Sequence, residues 1–291
     1  MTIPAKQPKG KKNSVLDIAS LDVISVPPTM SIIEGIQMMT RHNFRRLPIT
    51  DPGTKKLIGI VTITDVIDMM GGGSRYNLIA KKHKGNLLAA LNESLREIAT
   101  ENVNGLSPST TVKEAANILL ETGHGGFPIL NADTTLAGIV TEYDLMRMLA
   151  SEKSELVVEE IMTPCPKKVT PDMPLIHVTK QIVNDGYRRL PVVKDGILLG
   201  MITGTDIMRY IGNGKVFSKM QNGTVDEVLS LPVRDVMTAG DIRTVSTEMS
   251  INAVAQEMLT RGIGAFPVMD GGHLSGIVTE FDLVKALTGK I

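Results

Sequence analysis

The sequence predicts an α/β protein, of the α+β type, built from four copies of a β-α-β-β-α unit. The first observation is a strand-to-helix junction, G-h-h-T-x-x-D-h with h apolar, which occurs at residues 59–66, 138–145, 200–207 and 276–283. The second is an extended segment with a proline before each junction, which alternates between RRLPI or RRLPV and GGFPI or GAFPV. The alternation predicts a duplicated pair of repeats in the order A-B-A-B.

The elements of the first unit follow from its periodicity. A short β-type run at 23–26 precedes a helical pattern at 31–43; an extended run at 46–50, a Pro-Gly turn at 51–56 and a second extended run at 57–62 come next. A helix then begins at Asp65 and runs to Met70.

Each unit has fewer than 60 residues, which is near the size at which a single core is marginal, so we expect the units to pair into two modules of two. A segment at 78–100 aligns without a gap on 216–238, which suggests a duplicated amphipathic linker helix or partner surface. The predicted organisation is a basic disordered tail at 1–14, units at 15–70, 96–150, 156–211 and 233–289, and linkers at 71–95 and 212–232.

Composition excludes several classes of protein. The 31 basic residues balance the 31 acidic ones, so no global field recruits nucleic acid or an acidic membrane. One cysteine, Cys165, cannot form an internal disulfide framework or a thiolate metal cage, and the five histidines lack any metal-ligand spacing. No stretch approaches the roughly 18 apolar residues of a spanning helix. We therefore expect a cytoplasmic protein without a metal site or a membrane anchor.

The Thr and Asp of each junction allow two interpretations. Thr62 and Asp65 are spaced as in a capping box, in which the side chains satisfy free amides of the first helical turn. A cap does not require Asp, however, because Glu or Gln is the usual partner. The alternative is a carboxylate that accepts hydrogen bonds from a ligand diol, as acids do for a nucleotide ribose.

The repeated unit, its junction and the preceding R-L-P-h or G-F-P-h strand resemble the cystathionine β-synthase (CBS) domain, in four copies over about residues 15 to 289. The resemblance implies that consecutive domains pair into two Bateman modules, whose clefts bind adenosine nucleotides or, in some members, S-adenosylmethionine. Two modules in one chain are similar to the γ subunit of AMP-activated protein kinase and its archaeal four-CBS relatives.

The resemblance also implies the roles of particular residues. The junction acids hold ribose hydroxyls, the junction hydroxyls contact ribose or phosphate, and basic residues at the R-L-P strand contact phosphates. The ribose side is Thr62, Asp65, Thr141, Asp144, Thr203, Asp206, Thr279 and Asp282. The phosphate side is Arg45, Arg46, Arg188 and Arg189, because paired guanidinium groups suit phosphate oxygens.

The phosphate side is uneven between the units. Solvated surface charge is the alternative role for these arginines, and Arg46 and Arg189 match the R-L-P position best. Gly125 with Gly126 replaces the pair in the second unit and Gly264 with Ala265 in the fourth, so we expect unequal sites, although a shared cleft can borrow an arginine from its neighbour. Those glycines either admit a ligand closely or serve tight packing.

The function predicted from the sequence is a non-enzymatic sensor of AMP, ADP or ATP that acts on an unidentified regulated protein and needs no catalytic cofactor. An S-adenosylmethionine sensor is the alternative in the same class, although the arginine pairs suit a sulfonium cation poorly. A nucleic-acid scaffold would use the four lysines of the tail, which lacks aromatic residues for base stacking. A purely structural adaptor and a homodimer also remain open.

Overall fold

The computed structural model describes residues 13–71, 73–150, 154–240 and 242–289. The basic lysines predicted to form a tail, and Gly72 of the GGGS connection, lie outside these residues. The helices are α1 Ile32–His42, α2 Ile63–Gly71, α3 Leu87–Leu91, α4 Val112–Thr122, α5 Glu142–Leu149, α6 Val158–Ile161, α7 Leu175–Asn184, α8 Gly204–Gly212, α9 Val225–Leu229, α10 Ile251–Arg261 and α11 Glu280–Leu287. The strands are β1 Arg46–Thr50, β2 Leu57–Thr62, β3 Thr100–Glu101, β4 Gly126–Leu130, β5 Leu136–Thr141, β6 Thr163–Pro164, β7 Arg189–Lys194, β8 Ile197–Thr203, β9 Thr238–Ala239, β10 Val245–Ser246, β11 Ala265–Asp270 and β12 His273–Thr279.

Every repeat contains the predicted helix, antiparallel hairpin and second helix. The hairpins are β1 with β2, β4 with β5, β7 with β8, and β11 with β12. Helix α1 begins at a capping box, in which the Ser31 side chain accepts from the Glu34 amide and the Glu34 carboxylate accepts from the Ser31 amide. The α+β fold class predicted from the repeat is confirmed.

The predicted first strand is reduced to a single bridge. Only Val26 of the run at 23–26 pairs, in parallel with Ile49. Pro27 and Pro28 follow directly, and because proline has no amide hydrogen the ladder cannot continue. The regular first strand expected from the β-type residues was therefore wrong in the first repeat.

Consecutive repeats exchange the segments with which they begin. Ser20, near the start of the first repeat, forms a bridge with Ile139 of the second, while β3, near the start of the second repeat, pairs with β2 of the first. The same exchange occurs in the other half, where β6 pairs with β12 and β9 pairs with β8. Repeats 1 and 2 therefore interlock as one Bateman module, and repeats 3 and 4 as the other.

The helices join the two modules. One apolar core combines buried side chains of repeats 1 and 3, including Ile36, Met39, Val178 and Ile211. The smaller cores combine repeats 2 and 4, and α5 packs against α11. Each repeat is too small to form a complete core alone, and it buries its helices against a repeat of the opposite module. Its sheet pairs with the other repeat of its own module.

The duplicated segments lie against each other across the modules. The Leu87 amide donates to the Gly223 carbonyl at 2.9 Å, and the Val225 amide donates to the Gly85 carbonyl at 3.0 Å. Gly85 and Gly223 both have positive φ, at 87° and 72°, which glycine adopts without a steric penalty. The α-helical part of each segment is the short α3 or α9, and the first segment also has a π-helical turn at Leu78–Lys82, so the helical structure of these segments is divided into short pieces. Among the described helices, none is long and apolar enough to cross a bilayer.

Candidate functional site

The Thr and Asp of each junction form the predicted helix cap. The Thr62 amide and hydroxyl both donate to Asp65 Oδ2, at 2.7 and 2.6 Å. The same two bonds, of 2.6 to 2.8 Å, occur in the other three repeats. The cap occupies one carboxylate oxygen and leaves the second, Oδ1, to other partners.

The second oxygen distinguishes odd from even repeats. Asp65 Oδ1 lies 2.9 Å from Arg75 Nη2, and Asp206 Oδ1 accepts from the Thr238 hydroxyl at 2.8 Å. In the part of the chain that the structure describes, no hydrogen bond reaches Oδ1 of Asp144 or Asp282. The even repeats therefore present a carboxylate oxygen that is ready to accept a bond.

Burial affects these carboxylates. Desolvation raises the pKa of Asp65, Asp144 and Asp282, although the bonds from their threonines oppose the shift. Positive charge from Arg147 and, to a smaller extent, Arg46 acts on Asp144, and that from Lys285 and Arg189 acts on Asp282, so an arginine of the odd repeat contributes to the field at each even-repeat acid. The ionised form of a buried acid is stabilised by hydrogen-bond donors, because they replace the water that burial has removed.

The glycines of the even repeats make room for those arginines. A Cβ on Gly126 would overlap Arg46 Nη1, and a Cβ on Gly264 would overlap Arg189 Nη2. A Cβ on Gly125 would lie 2.9 Å from Arg46 Nη2. Tight packing, one of the two predicted uses of these glycines, is therefore the observed one, with a neighbouring arginine as the packed group.

Two buried glutamates lie among the arginines. Arg45 Nη1 donates to Glu280 Oε2 at 2.7 Å, and Arg189 Nη2 donates to the same oxygen at 3.3 Å. Arg188 Nη1 lies 2.8 Å from both oxygens of Glu142. The glutamates are each 2% exposed.

The glutamates follow the junction threonine directly, and sequence reasoning missed them. The even repeats read T-E-Y-D and T-E-F-D, whereas Ile63 and Gly204 hold this position in the odd repeats. An acid that occurs only in the repeats lacking the arginine pair was the available signal.

The four arginines and Glu142 line one central chamber, a cavity of about 1140 Å³ bordered by all four repeats, while Glu280 pairs with two of these arginines without being among the described residues that line it. Its lining includes Thr62, Asp65, Thr203, Asp206 and Glu142, together with Arg45, Arg46, Arg188 and Arg189. The even-repeat pairs, Thr141 with Asp144 and Thr279 with Asp282, are not among the described residues that line it. The structure thus brings together the predicted phosphate side and half of the predicted ribose side.

The chamber carries a net positive charge. Among the described residues, six arginines line it, whereas four carboxylates line it or pair with its arginines. The arginines are Arg45, Arg46, Arg188, Arg189, Arg209 and Arg243, and the acids are Asp65, Asp206, Glu142 and Glu280. Burial lowers the pKa of Arg46 to about 10, so the group remains protonated at neutral pH. Burial alone would raise the pKa of Glu280, but Arg45 and Arg189 outweigh it and hold that pKa below its ordinary value.

Other candidates provide no second centre. His124 borders the chamber and stacks edge-on to Phe127. No group of three or more His, Cys, Asp or Glu among the described residues is arranged to hold a metal ion.

The fold and the chamber define a protein of four CBS domains in two Bateman modules. The CBS domain family matches residues 15–72, 95–151, 158–213 and 233–289, so the chain belongs to that family. It is 38% identical over 265 residues to MJ1225, an uncharacterized protein of Methanocaldococcus jannaschii. The aligned region covers 90% of this chain and 94% of the relative.

Solved structures agree on the whole architecture. The crystal structure of MJ1225, described as a candidate archaeal homologue of g-AMPK, matches with a TM-score of 0.88 and 37% identity, over 94% of this chain and 99% of that one. An uncharacterized conserved protein of Pyrococcus horikoshii matches over the same shares with a TM-score of 0.59 and 20% identity, which supports the fold alone.

Proposed function

We propose that this chain is a non-catalytic sensor of adenine nucleotides, AMP, ADP or ATP, that passes its ligand state to a partner protein. The observation that carries the proposal is the convergence of four arginines from both modules on one chamber, beside the Thr and Asp pairs of the odd repeats. A buried cluster of guanidinium groups is suited to phosphate, which accepts bidentate bonds from planar donors.

The junction acids are the ribose ligands in this proposal. Each uses Oδ2 for its helix cap, and the second oxygen accepts a ribose hydroxyl. Asp144 and Asp282 are best prepared, because no described group bonds their second oxygen and an arginine of the paired repeat lies nearby. In Asp65 and Asp206 the second oxygen already has a partner, Arg75 or Thr238, so a ribose hydroxyl must share that oxygen or displace the partner.

The arginines are the phosphate ligands. Arg46 and Arg189 serve the cleft of their own module, where Gly126 and Gly264 admit them. Arg45 forms an ion pair with Glu280, and Arg188 with Glu142, so each of these two arginines contacts the opposite module. A phosphate that competes for these groups changes contacts between the modules, which is the differential interaction that a sensor requires.

The chamber's charge also discriminates between ligands. Its net positive charge opposes the sulfonium of S-adenosylmethionine and favours a phosphate, so this charge supports a nucleotide over that alternative. Nothing in the described residues favours nucleic acid, for which the basic lysines lie outside the described range.

Thermal unfolding with AMP, ADP, ATP and S-adenosylmethionine, added separately after bound nucleotide has been stripped away, tests the proposal. A ligand that binds only the folded state raises the midpoint with its concentration. We expect adenine nucleotides to do so, and Asp144→Asn and Asp282→Asn to reduce the shift, because Asn keeps a capping oxygen but loses the charge. Glu34→Gln is the matched control, since Glu34 occupies the same cap position of α1 on an exposed surface. If no nucleotide shifts the midpoint of the unsubstituted protein, the Thr and Asp pairs are caps alone and the adaptor interpretation replaces the sensor.

A further inference from the structure

Two glutamates oppose the phosphate role of the chamber's arginines, Glu142 from the lining itself and Glu280 through its pairing with Arg45 and Arg189. Glu142 and Glu280 are almost completely buried, and each forms an ion pair with an arginine of the opposite module. An anion-binding chamber would gain affinity from neutral residues at these positions. Their presence therefore calls for a role of its own.

We propose that Glu142 and Glu280 are specificity-determining residues, which occupy guanidinium groups as phosphate substitutes and thereby limit the number of phosphate charges that the chamber accepts. This inference rests on the proposed nucleotide function and concerns which nucleotide that site prefers. The glutamates favour the monophosphate over the triphosphate.

The first argument is competition for the same donors. A carboxylate and a phosphate oxygen both accept from a guanidinium N–H with similar geometry. Arg188 Nη1 lies 2.8 Å from both oxygens of Glu142, and Arg45 Nη1 lies 2.7 Å from Glu280. A phosphate that takes Arg45 or Arg188 must displace a buried carboxylate, which then loses a partner.

The second argument is charge. Among the described residues, six lining arginines set against the carboxylates of Asp65, Asp206, Glu142 and the paired Glu280 give the chamber a net charge of 6 − 4 = +2. A phosphate monoester carries about −1.5 to −2 at neutral pH, so one such group nearly balances the chamber. A triphosphate brings further charge beside two buried carboxylates, where like charges repel most strongly because the surroundings are poorly solvated.

The third argument is the link between the modules. Glu280 accepts from Arg189 of its own module and from Arg45 of the other. If Arg45 moves toward a phosphate in the first module, Glu280 keeps only Arg189 as its partner. Arg189 is then less available to a phosphate in the second module. The glutamates consequently make the two modules compete for charge.

Isothermal titration tests the proposal with three probes: AMP, ATP and inorganic tripolyphosphate, which has no nucleoside. Glu142→Gln and Glu280→Gln preserve shape and remove charge, and Glu248→Gln, on an exposed turn, is the control. We expect the two chamber variants to bind ATP and tripolyphosphate about tenfold more tightly, with a smaller gain for AMP, and the control to match the unsubstituted protein. Equal affinity gains for AMP and ATP, or no gain for either, would overturn the proposal.

A second variant acts in the opposite direction and guards against a Gln variant that does not fold. Arg45→Gln lowers the charge of the chamber, so it is expected to weaken ATP and tripolyphosphate more than AMP. An unchanged ratio of ATP to AMP affinity in Arg45→Gln would also refute the assignment. Tripolyphosphate separates this inference from the nucleotide function. If the Gln variants bind tripolyphosphate more tightly but ATP binds no better than tripolyphosphate, the chamber discriminates charge and the nucleoside contributes nothing. The proposed adenine-nucleotide function would then be wrong, while the role of the glutamates would stand.

Discussion

Arg75 Nη2 lies 2.9 Å from Asp65 Oδ1, so a side chain of the protein holds the carboxylate oxygen that the proposed ribose would use in the first repeat. The same guanidinium lies 3.2 Å from Asp68 and donates to the Ile98 carbonyl at 2.7 Å. In the third repeat, Thr238 takes the equivalent oxygen of Asp206 instead. The two modules therefore differ at otherwise equivalent positions.

Removing Arg75 should open the first site and weaken the fold. We expect Arg75→Ala to lower the free energy of unfolding by about 1 to 3 kcal/mol, because Asp65 and Asp68 lose their partner. Without that competitor, AMP should raise the unfolding midpoint by more than in the unsubstituted protein. Denaturant unfolding and ligand titration measure the two effects.

Arg209→Ala is the control for the stability effect in this prediction. Arg209 Nη1 is 3.8 Å from Asp206 Oδ1 and its side chain is 46% exposed, so stability should change by less than about 0.5 kcal/mol. A smaller AMP effect in Arg75→Ala than in the unsubstituted protein would show that Arg75 assists the ligand rather than competing with it.

Gly264→Ala should displace the arginine that packs on this glycine. The new Cβ would overlap Arg189 Nη2 and lie 2.6 Å from Glu280 Cδ, so the ion pair must shift. We expect a loss of about 1 to 3 kcal/mol in unfolding free energy, together with weaker binding of AMP.

Gly262→Ala separates packing from backbone strain. Gly262 has a φ of +63° and nothing within 4 Å of a Cβ, so alanine there costs strain of about 1 kcal/mol and leaves Arg189 in place. Equal loss of AMP affinity in both variants would mean that the contact with Arg189 is irrelevant to binding.

The Glu280 ion pairs predict a pH dependence of stability. The folded state holds the pKa of Glu280 below its ordinary 4.5, so its stabilising contribution is complete above that value and is lost as the pH falls through the folded pKa. Urea unfolding at pH 7 and below pH 4.5 should show a larger acid loss for the unsubstituted protein than for Glu280→Gln. The difference between the two isolates this group from the other carboxylates, and parallel pH curves would contradict the assignment.

The shared cores predict the behaviour of a single module. Residues 13–150 alone would expose the faces of α1 and α2 that pack on α8 and α7, including Ile36 and Met39. Since this apolar surface has no covering partner, the fragment should self-associate, and sedimentation velocity should report a dimer. A stable monomer at micromolar concentration would show that the module interface contributes little to burial.

Much of the local structure was predictable from the sequence. The helix of the first unit and the hairpin at 46–62 follow from periodicity, and the caps follow from Thr and Asp three residues apart. These features depend on contacts within a few residues, where spacing alone defines the geometry. The strand predicted at 23–26 forms only the bridge of Val26. The prolines that follow cannot extend the ladder past that residue, and the strand propensity of the run gives no sign of this.

The candidate site was predictable only in part. The arginine pairs and junction acids were found as types of residue in a repeated motif, whereas Glu142 and Glu280 are visible only when even repeats are compared with odd ones, and their arginine partners are far away in the chain. Arg45 and Glu280 are 235 residues apart, and Arg188 and Glu142 are 46 apart. Neither pairing follows from the spacing of a single repeat.

By itself, the sequence determined the number of repeats, their A-B-A-B order and the capped junction, because each is a property of one unit repeated. The tertiary structure alone decided that repeat 1 shares its core with repeat 3, and that leading segments are exchanged within each module. It also decided that Arg75 competes for Asp65. The physical reason is that four similar units have similar apolar and polar faces, so the choice among partners depends on how all of them pack at once.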